Sequence, residues 1–99
     1  MKHLSLDEVT QKLDDLVERQ AELYPKFYMA ELNYIHKKAE LLMNPTVTGL
    51  GSQPVRDAEC ERQMSVTSEY EEYHKLFPEM RILDTQIRVY LQISRNLQN

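Results

Sequence analysis

The chain has 99 residues, a formal net charge of -4 and a single cysteine. The negative charge argues against a protein whose main role is to coat a nucleic-acid backbone, because non-specific affinity for phosphate comes chiefly from Lys and Arg. One cysteine excludes an intrachain disulfide framework, so we expect a reducing compartment, the cytoplasm. No stretch approaches the roughly 18 apolar residues that a membrane span needs, and we expect no membrane partner. The length suits a single helical domain over residues 1–99.

The first arm of the predicted fold is a helix over residues 6–43. Ser5 is followed three residues later by Glu8, which is the spacing of a capping box and predicts a helix that begins at Leu6. Mostly apolar residues then recur at alternating spacings of three and four, a heptad seam with one polar interruption. The residues of this first seam are Leu6, Val9, Leu13, Leu16, Gln20, Leu23, Phe27, Ala30 and Tyr34.

A loop over residues 44–53 is predicted to reverse the chain. Asn44 precedes Pro45, and the residue before a proline is pushed out of the α region, which ends the first helix. Both glycines of the chain lie in this loop. A second helical arm is predicted over residues 54–97, where the same periodicity returns. The residues of the second seam are Tyr73, Leu76, Met80, Leu83, Ile87, Tyr90, Ser94 and Leu97.

The two seams together predict a long antiparallel hairpin. Residues at equal height in a hairpin have a constant sum of residue numbers, and pairing Leu6 with Leu97 sets that sum at 103. Pro25 and Pro78 also add to 103, so we expect the arms to bend or break together near them. The predicted fold class is therefore all-α, a coiled-coil-like helical hairpin. A single-chain bundle of four short helices, with sharp reversals at both prolines, is the competing architecture.

Apolar residues outside the two seams predict self-association. A two-helix rod buries only one seam, and helices with broader apolar faces are normally covered on a second side. We therefore expect a homodimer that completes a four-helix assembly. The apolar residues outside the seams are Val17, Tyr24, Tyr28, Ile35 and Leu42 in the first arm, and Ile82, Val89, Leu91 and Ile93 in the second.

No motif in the sequence is specific enough to predict a catalytic, cofactor-binding or metal-binding residue, and we expect a protein that is not an enzyme. Glu71 and His74 have the Glu-x-x-His spacing of di-iron carboxylate bundles, but those sites need a second copy and two further glutamates. A metal-dependent oxidoreductase is a remote alternative. Cys60 lacks a second thiol at zinc-ligand spacing, and a small buried helix residue is the simpler interpretation.

Charged residues offer two candidate surfaces for a protein partner. Arg81, Arg88 and Arg95 recur every seven residues on the second arm, and an acidic segment precedes them. Glu8, Asp15 and Glu22 lie at matching heights on the first arm, but on the opposite side of the seam, so salt bridges within the chain are not expected to be their main use. The two sets of charges either pair between two hairpins or remain solvated and contribute little. The predicted partner-binding residues are Arg81, Arg88, Arg95, Asp57, Glu59, Glu61, Glu69, Glu71 and Glu72.

A nucleic-acid surface is the alternative to a protein-binding surface. Lys26, Lys37 and Lys38 occur among tyrosines in the first arm, and cations mixed with aromatic residues are typical of proteins that bind single strands. The acidic residues that follow in the second arm would repel phosphate.

Two segments near the loop resemble a known class of proteins. The stretches from His36 to Leu42 and from Gly49 to Glu59 look like small uncharacterised helical proteins encoded by phages and prophages of Gram-positive bacteria. The resemblance involves no catalytic motif. It implies an intracellular phage protein that binds host or phage machinery.

The functional hypothesis from the sequence is a non-enzymatic, helical, phage-type interaction protein. It is expected to bind itself and another protein, with inhibition of that protein as one outcome of binding. The alternative is an accessory protein of phage DNA replication or recombination that contacts single-stranded nucleic acid.

Overall fold

The computed structural model describes residues 4–98. Over this range the chain is all-α, with no strand. Helix α1 packs against α4 as an antiparallel hairpin, which confirms the predicted fold class. The helices are α1 (Leu6–Leu42), α2 (Pro45–Thr48), α3 (Gln53–Met64) and α4 (Ser68–Gln98).

The chain groups into two compact units. The terminal unit consists of the residues up to Lys26 and those from Pro78 onward, and the central unit is Phe27–Phe77.

Helix α1 begins where the capping signal predicts. The backbone N–H of Glu8 donates to Ser5 Oγ at 3.2 Å, and the N–H of Val9 donates to the Ser5 carbonyl oxygen at 3.0 Å. The Ser5 hydroxyl also donates to the Glu8 carboxylate at 3.2 Å. These bonds satisfy donors that a helix N-terminus would otherwise leave without a partner. The predicted start at Leu6 is confirmed.

Pro25 and Pro78 lie inside helices that continue through them. Proline cannot donate the hydrogen bond to the residue four positions earlier, so each helix loses one backbone bond there without ending. Of the two expected outcomes, bending or breaking, breaking is therefore excluded, and the single-chain bundle that reverses at both prolines is wrong. The sequence boundaries of the two units fall at Lys26–Phe27 and Phe77–Pro78, beside these prolines.

The predicted loop contains a one-turn helix. The Asn44 side-chain oxygen accepts hydrogen bonds from the backbone N–H of Thr46 at 3.0 Å and from its hydroxyl at 2.9 Å. Pro45 occupies the first turn of α2, where its missing donor costs nothing. Val47 is buried in the central unit, so this part of the loop contributes to the core.

The second arm is not one continuous helix over residues 54–97, as the sequence predicted. It is divided into α3 and α4 by a turn at residues 65–67. The Thr67 hydroxyl donates to the Met64 carbonyl oxygen at 2.6 Å and accepts from the Tyr70 N–H at 3.2 Å, so one side chain satisfies groups at both helix ends. Ser and Thr compete for backbone hydrogen bonds in this way, which disfavours a helix interior.

Contacts between the helices scatter around the predicted register. The residue numbers of Gln20 and Asp84 in the terminal unit add to 104. In the central unit, Phe27 and Tyr73 add to 100 and the closer ring pair Tyr34 and Tyr73 adds to 107.

Most seam residues of both arms are buried or half-buried, as predicted. Leu6 and Leu97 are exposed, because each lies within one turn of a helix end. The buried core residues are Val9, Leu16, Met80 and Leu83 in the terminal unit, and Phe27, Ala30, Val47, Cys60, Met64 and Leu76 in the central unit.

Alanine at Gly51 is expected to stabilise the protein. Gly51 does not have a positive φ, and a Cβ added there would meet no atom within 4 Å. Gly51→Ala removes freedom from the unfolded chain and should raise the free energy of unfolding by about 0.4–1 kcal/mol, measured by urea denaturation followed by circular dichroism. Gly49→Ala is the matched control, because its Cβ would lie 3.0 Å from the Pro45 carbonyl oxygen and should remove that gain. Equal stabilisation by both variants would contradict this explanation.

Candidate functional site

Three arginines and two apolar residues form an exposed surface on α4. Arg81, Arg88 and Arg95 are seven residues apart and therefore line up along one side of the helix. Ile82 and Val89 follow the first two arginines directly, and their side chains are 57% and 51% exposed. We call these five residues the arginine surface. The nearest acid, Asp84, lies one turn from both Arg81 and Arg88, and its carboxylate accepts hydrogen bonds from α1.

The carboxylate of Asp84 binds polar side chains of α1 within the terminal unit. Asp84 Oδ1 accepts hydrogen bonds from Gln20 Nε2 at 2.9 Å and from the Tyr24 hydroxyl at 3.1 Å. The Gln20 amide also donates to the Tyr24 oxygen at 3.0 Å, and all three side chains are half-buried. This cluster holds α4 at a definite height on α1.

The sequence analysis did not predict the Asp84 cluster, although a signal was present. Gln20 is the one polar interruption of the first seam, and a polar residue at a seam position commonly specifies register by pairing with a polar group on the facing helix.

Two of the predicted acidic residues, Glu69 and Glu72, line a cleft of about 620 Å³ in the central unit. The cleft combines both signs of charge. Lys37 Nζ lies 3.6 Å from Glu40 Oε2, so this cation already has a carboxylate beside it. The residues that line the cleft are Ala30, Asn33, His36, Lys37 and Glu40 from α1 and Ser68, Glu69 and Glu72 from α4.

The other acidic residues lie apart from this cleft. On α3, Asp57 accepts a hydrogen bond from Gln53 at 2.7 Å, and Glu61 lies one turn further along the same side. Glu59 lies on the opposite side of α3. Glu71 lies on α4 in a shallow depression with other residues near the start of that helix. The structure therefore does not gather the predicted acidic residues into one surface.

The carboxylate of Glu59 already has partners within α3. Hydrogen bonds from the Arg62 guanidinium and the Gln63 amide lower the pKa of Glu59 to about 2. The same contact with Glu59 raises the pKa of Arg62. This pair is a local interaction between residues three apart on one helix.

The three lysines proposed for nucleic acid do not form a common basic stripe. Lys26 lines a depression in the terminal unit together with Glu22 and Glu79, so carboxylates lie beside it. Lys37 lies beside Glu40, as described above. Lys38 follows Lys37 directly and projects about 100° away around α1.

A cluster of aromatic rings fills the central unit between α1 and α4. The rings of Tyr34 and Tyr73 stack with their centroids 4.6 Å apart, and Tyr70 and His74 stack at 3.9 Å. Desolvation by burial, with a smaller effect from the negative charge of Glu61, raises the pKa of Tyr34. Tyr34 is therefore used for packing inside the protein. This weakens the nucleic-acid alternative, which needs exposed rings on which bases can stack.

Cys60 is buried, and its thiol lies 4.0 Å from the Lys38 carbonyl oxygen. Burial raises the pKa of Cys60, which reduces the fraction present as the nucleophilic thiolate.

Within the described range, residues 4–98, no group of three or more His, Cys, Asp and Glu side chains could hold a metal ion. His74 Nδ1 lies 2.9 Å from the Tyr70 carbonyl oxygen. None of the helices described here is long and apolar enough to cross a membrane.

Removal of the Asp84 carboxylate is expected to destabilise the protein. Asp84→Ala leaves two half-buried donors, the Gln20 amide and the Tyr24 hydroxyl, without their shared acceptor. The free energy of unfolding should fall by about 1–2 kcal/mol, because the site is only half-buried and water replaces part of the bonding. Urea denaturation followed by circular dichroism measures the change. Asp14→Ala, at an exposed position of α1, is the control and should change stability by less than about 0.5 kcal/mol. Similar losses in both variants would show that the cluster has no special role.

Comparisons of this chain with protein-family models, with curated proteins and with solved structures found no match.

Proposed function

We propose that the chain is a non-enzymatic interaction protein that binds an acidic helix of another protein through the arginine surface. The single observation that carries this proposal is the exposure of Ile82 and Val89 directly beside three arginines that repeat every seven residues.

Exposed apolar residues among the arginines favour a binding surface over a merely solvated charged face. Charged residues that only maintain solubility gain nothing from neighbouring Ile and Val side chains in water. A partner that covers Ile82 and Val89 gains about 25 cal/mol for each Å² of apolar surface removed from water. The guanidinium groups then bind carboxylates with paired hydrogen bonds, which fixes the orientation of the partner.

The repeat of the arginines supports a helical partner. Seven residues of helix correspond to a rise of about 10 Å, so the three guanidinium groups are spaced along one line. A helix with carboxylates seven residues apart matches Arg88 and Arg95 together, as charged residues do beside a coiled-coil seam. The positive field of this surface would also favour approach of an acidic partner.

The resemblance of the two segments near the loop to phage proteins supports a partner in host or phage machinery. We propose a location in the cytoplasm, in keeping with one cysteine that is buried and reduced. A small protein that occupies an acidic surface would inhibit the partner wherever that surface is needed to bind something else.

The test is affinity capture with the full chain and a charge-reversed variant. Tagged wild-type protein is compared with the double variant Arg88→Glu and Arg95→Glu in extracts of expressing cells treated with nuclease. The wild-type protein should capture a partner, and the variant should lose it by at least about tenfold, because two attractive contacts become repulsive. Direct titration of the purified partner in a calorimeter then measures the affinity.

The matched control changes two cations elsewhere, Lys12→Glu and Lys75→Glu, and should retain the partner. Equal capture by both double variants would contradict the proposal. Fluorescence anisotropy with a labelled single-stranded oligonucleotide tests the nucleic-acid alternative. Binding that falls steeply with salt and is lost on changing Lys26, Lys37 and Lys38 to Glu would favour that alternative.

A further inference from the structure

A second row of apolar side chains, separate from the buried seam, runs along α1 in the central unit. Tyr28, Leu32 and Ile35 are 56%, 50% and 54% exposed, and Leu42 is exposed as well. With Ala39, these residues follow spacings of four, three, four and three, which is the spacing of a coiled-coil seam. We call Tyr28, Leu32, Ile35, Ala39 and Leu42 the outer stripe.

The residues that flank the outer stripe differ between its two sides. Glu31 and Lys38 lie on one side, each directly before a stripe residue and seven residues apart. Met29, His36 and Met43, all exposed, lie on the other side, each directly after a stripe residue. These are the positions that face across a coiled coil and set the choice and orientation of its partner.

We propose that the outer stripe binds the outer stripe of a second copy of this chain, with the two α1 helices antiparallel. A two-fold axis between Asn33 and Tyr34 brings Tyr28 of one copy beside Ala39 of the other. It also brings Leu32 of each copy beside Ile35 of the other, so that the stripe residues alternate across the contact. The same axis brings Glu31 of each copy near Lys38 of the other, which gives two reciprocal ion pairs. On the opposite flank, Met29 of each copy meets His36 of the other.

Charge complementarity is the reason to choose a second copy in this orientation. Like charges do not meet across the axis, because the single acid and the single lysine of this flank, Glu31 and Lys38, lie on opposite sides of it. A parallel pair would not bring Glu31 to Lys38, since identical residues then lie at the same height. A closed two-fold dimer also covers the same apolar surface on both copies and leaves no open end for further growth.

This inference does not depend on the arginine surface, which lies on α4 in the terminal unit. The two surfaces can therefore be tested separately. A variant of the outer stripe that no longer dimerises should still capture the protein that binds the arginine surface.

The test measures the mass of the full chain by analytical ultracentrifugation across the micromolar range. The wild-type protein should approach twice the 11.8 kDa of one chain as concentration rises. Glu31→Lys places lysine against lysine at both flanks and should weaken the dimer roughly tenfold to a hundredfold. Lys38→Glu should weaken it similarly. The double variant, Glu31→Lys with Lys38→Glu, should restore a dissociation constant close to that of the wild type.

Two further variants separate this surface from general effects of charge. Glu18→Lys makes the same change of charge in an exposed part of α1 outside the outer stripe and should leave the mass unchanged. Ile35→Asp, beside the axis, should give a monomer with an unchanged helical circular dichroism spectrum. The proposal is overturned if the wild-type chain stays monomeric, if the double variant fails to recover, or if Glu18→Lys weakens association as much as Glu31→Lys.

Discussion

The packing of the apolar seam of α1 against α4 is the interaction on which the rest of the structure depends. Helices of this length gain most of their stability from packing an apolar face, and a chain of this size buries only a limited core elsewhere. In the terminal unit, Leu16, Met80 and Leu83 form part of this contact, and in the central unit Phe27 and Leu76 do so. The hydrogen bonds of Asp84 to α1 add a polar element that fixes the height of one helix on the other.

Among the apolar residues that stay exposed once the seam is buried, the arginine surface and the outer stripe differ in their chemistry. The arginine surface of α4 combines apolar residues with positive charge. The surface that binds it must therefore be acidic, and a second copy of the arginine surface cannot be its partner. The outer stripe of α1 combines apolar residues with one acid and one lysine placed about a centre, so it is its own complement. The same physical effect, removal of apolar surface from water, drives both proposed contacts, and the flanking charges decide which partner fits.

Neighbouring charges also explain why the basic residues of α1 are poor candidates for binding phosphate. A lysine beside a carboxylate offers little net field to an anion, and both Lys26 and Lys37 lie beside glutamates. The aromatic residues of the central unit, led by the stacked pair Tyr34 and Tyr73, contact one another and pack α1 against α4. Cations and rings that look adjacent in the sequence thus serve different purposes in the fold.

The sequence by itself determined the features that depend on short-range physics. The start of α1 after Ser5, the buried seam and the approximate register all follow from capping geometry and from the spacing of apolar side chains. Only the tertiary structure decided where the second arm divides, because Thr67 can either continue a helix or bond to the backbone, and packing of its neighbours settles that competition. The same holds for the continuous helices at Pro25 and Pro78, where burial of the flanking seam compensates for the lost hydrogen bond. Which charges lie together was likewise decided by the fold, since residues adjacent in a helix point in different directions and meet only what the opposite helix provides.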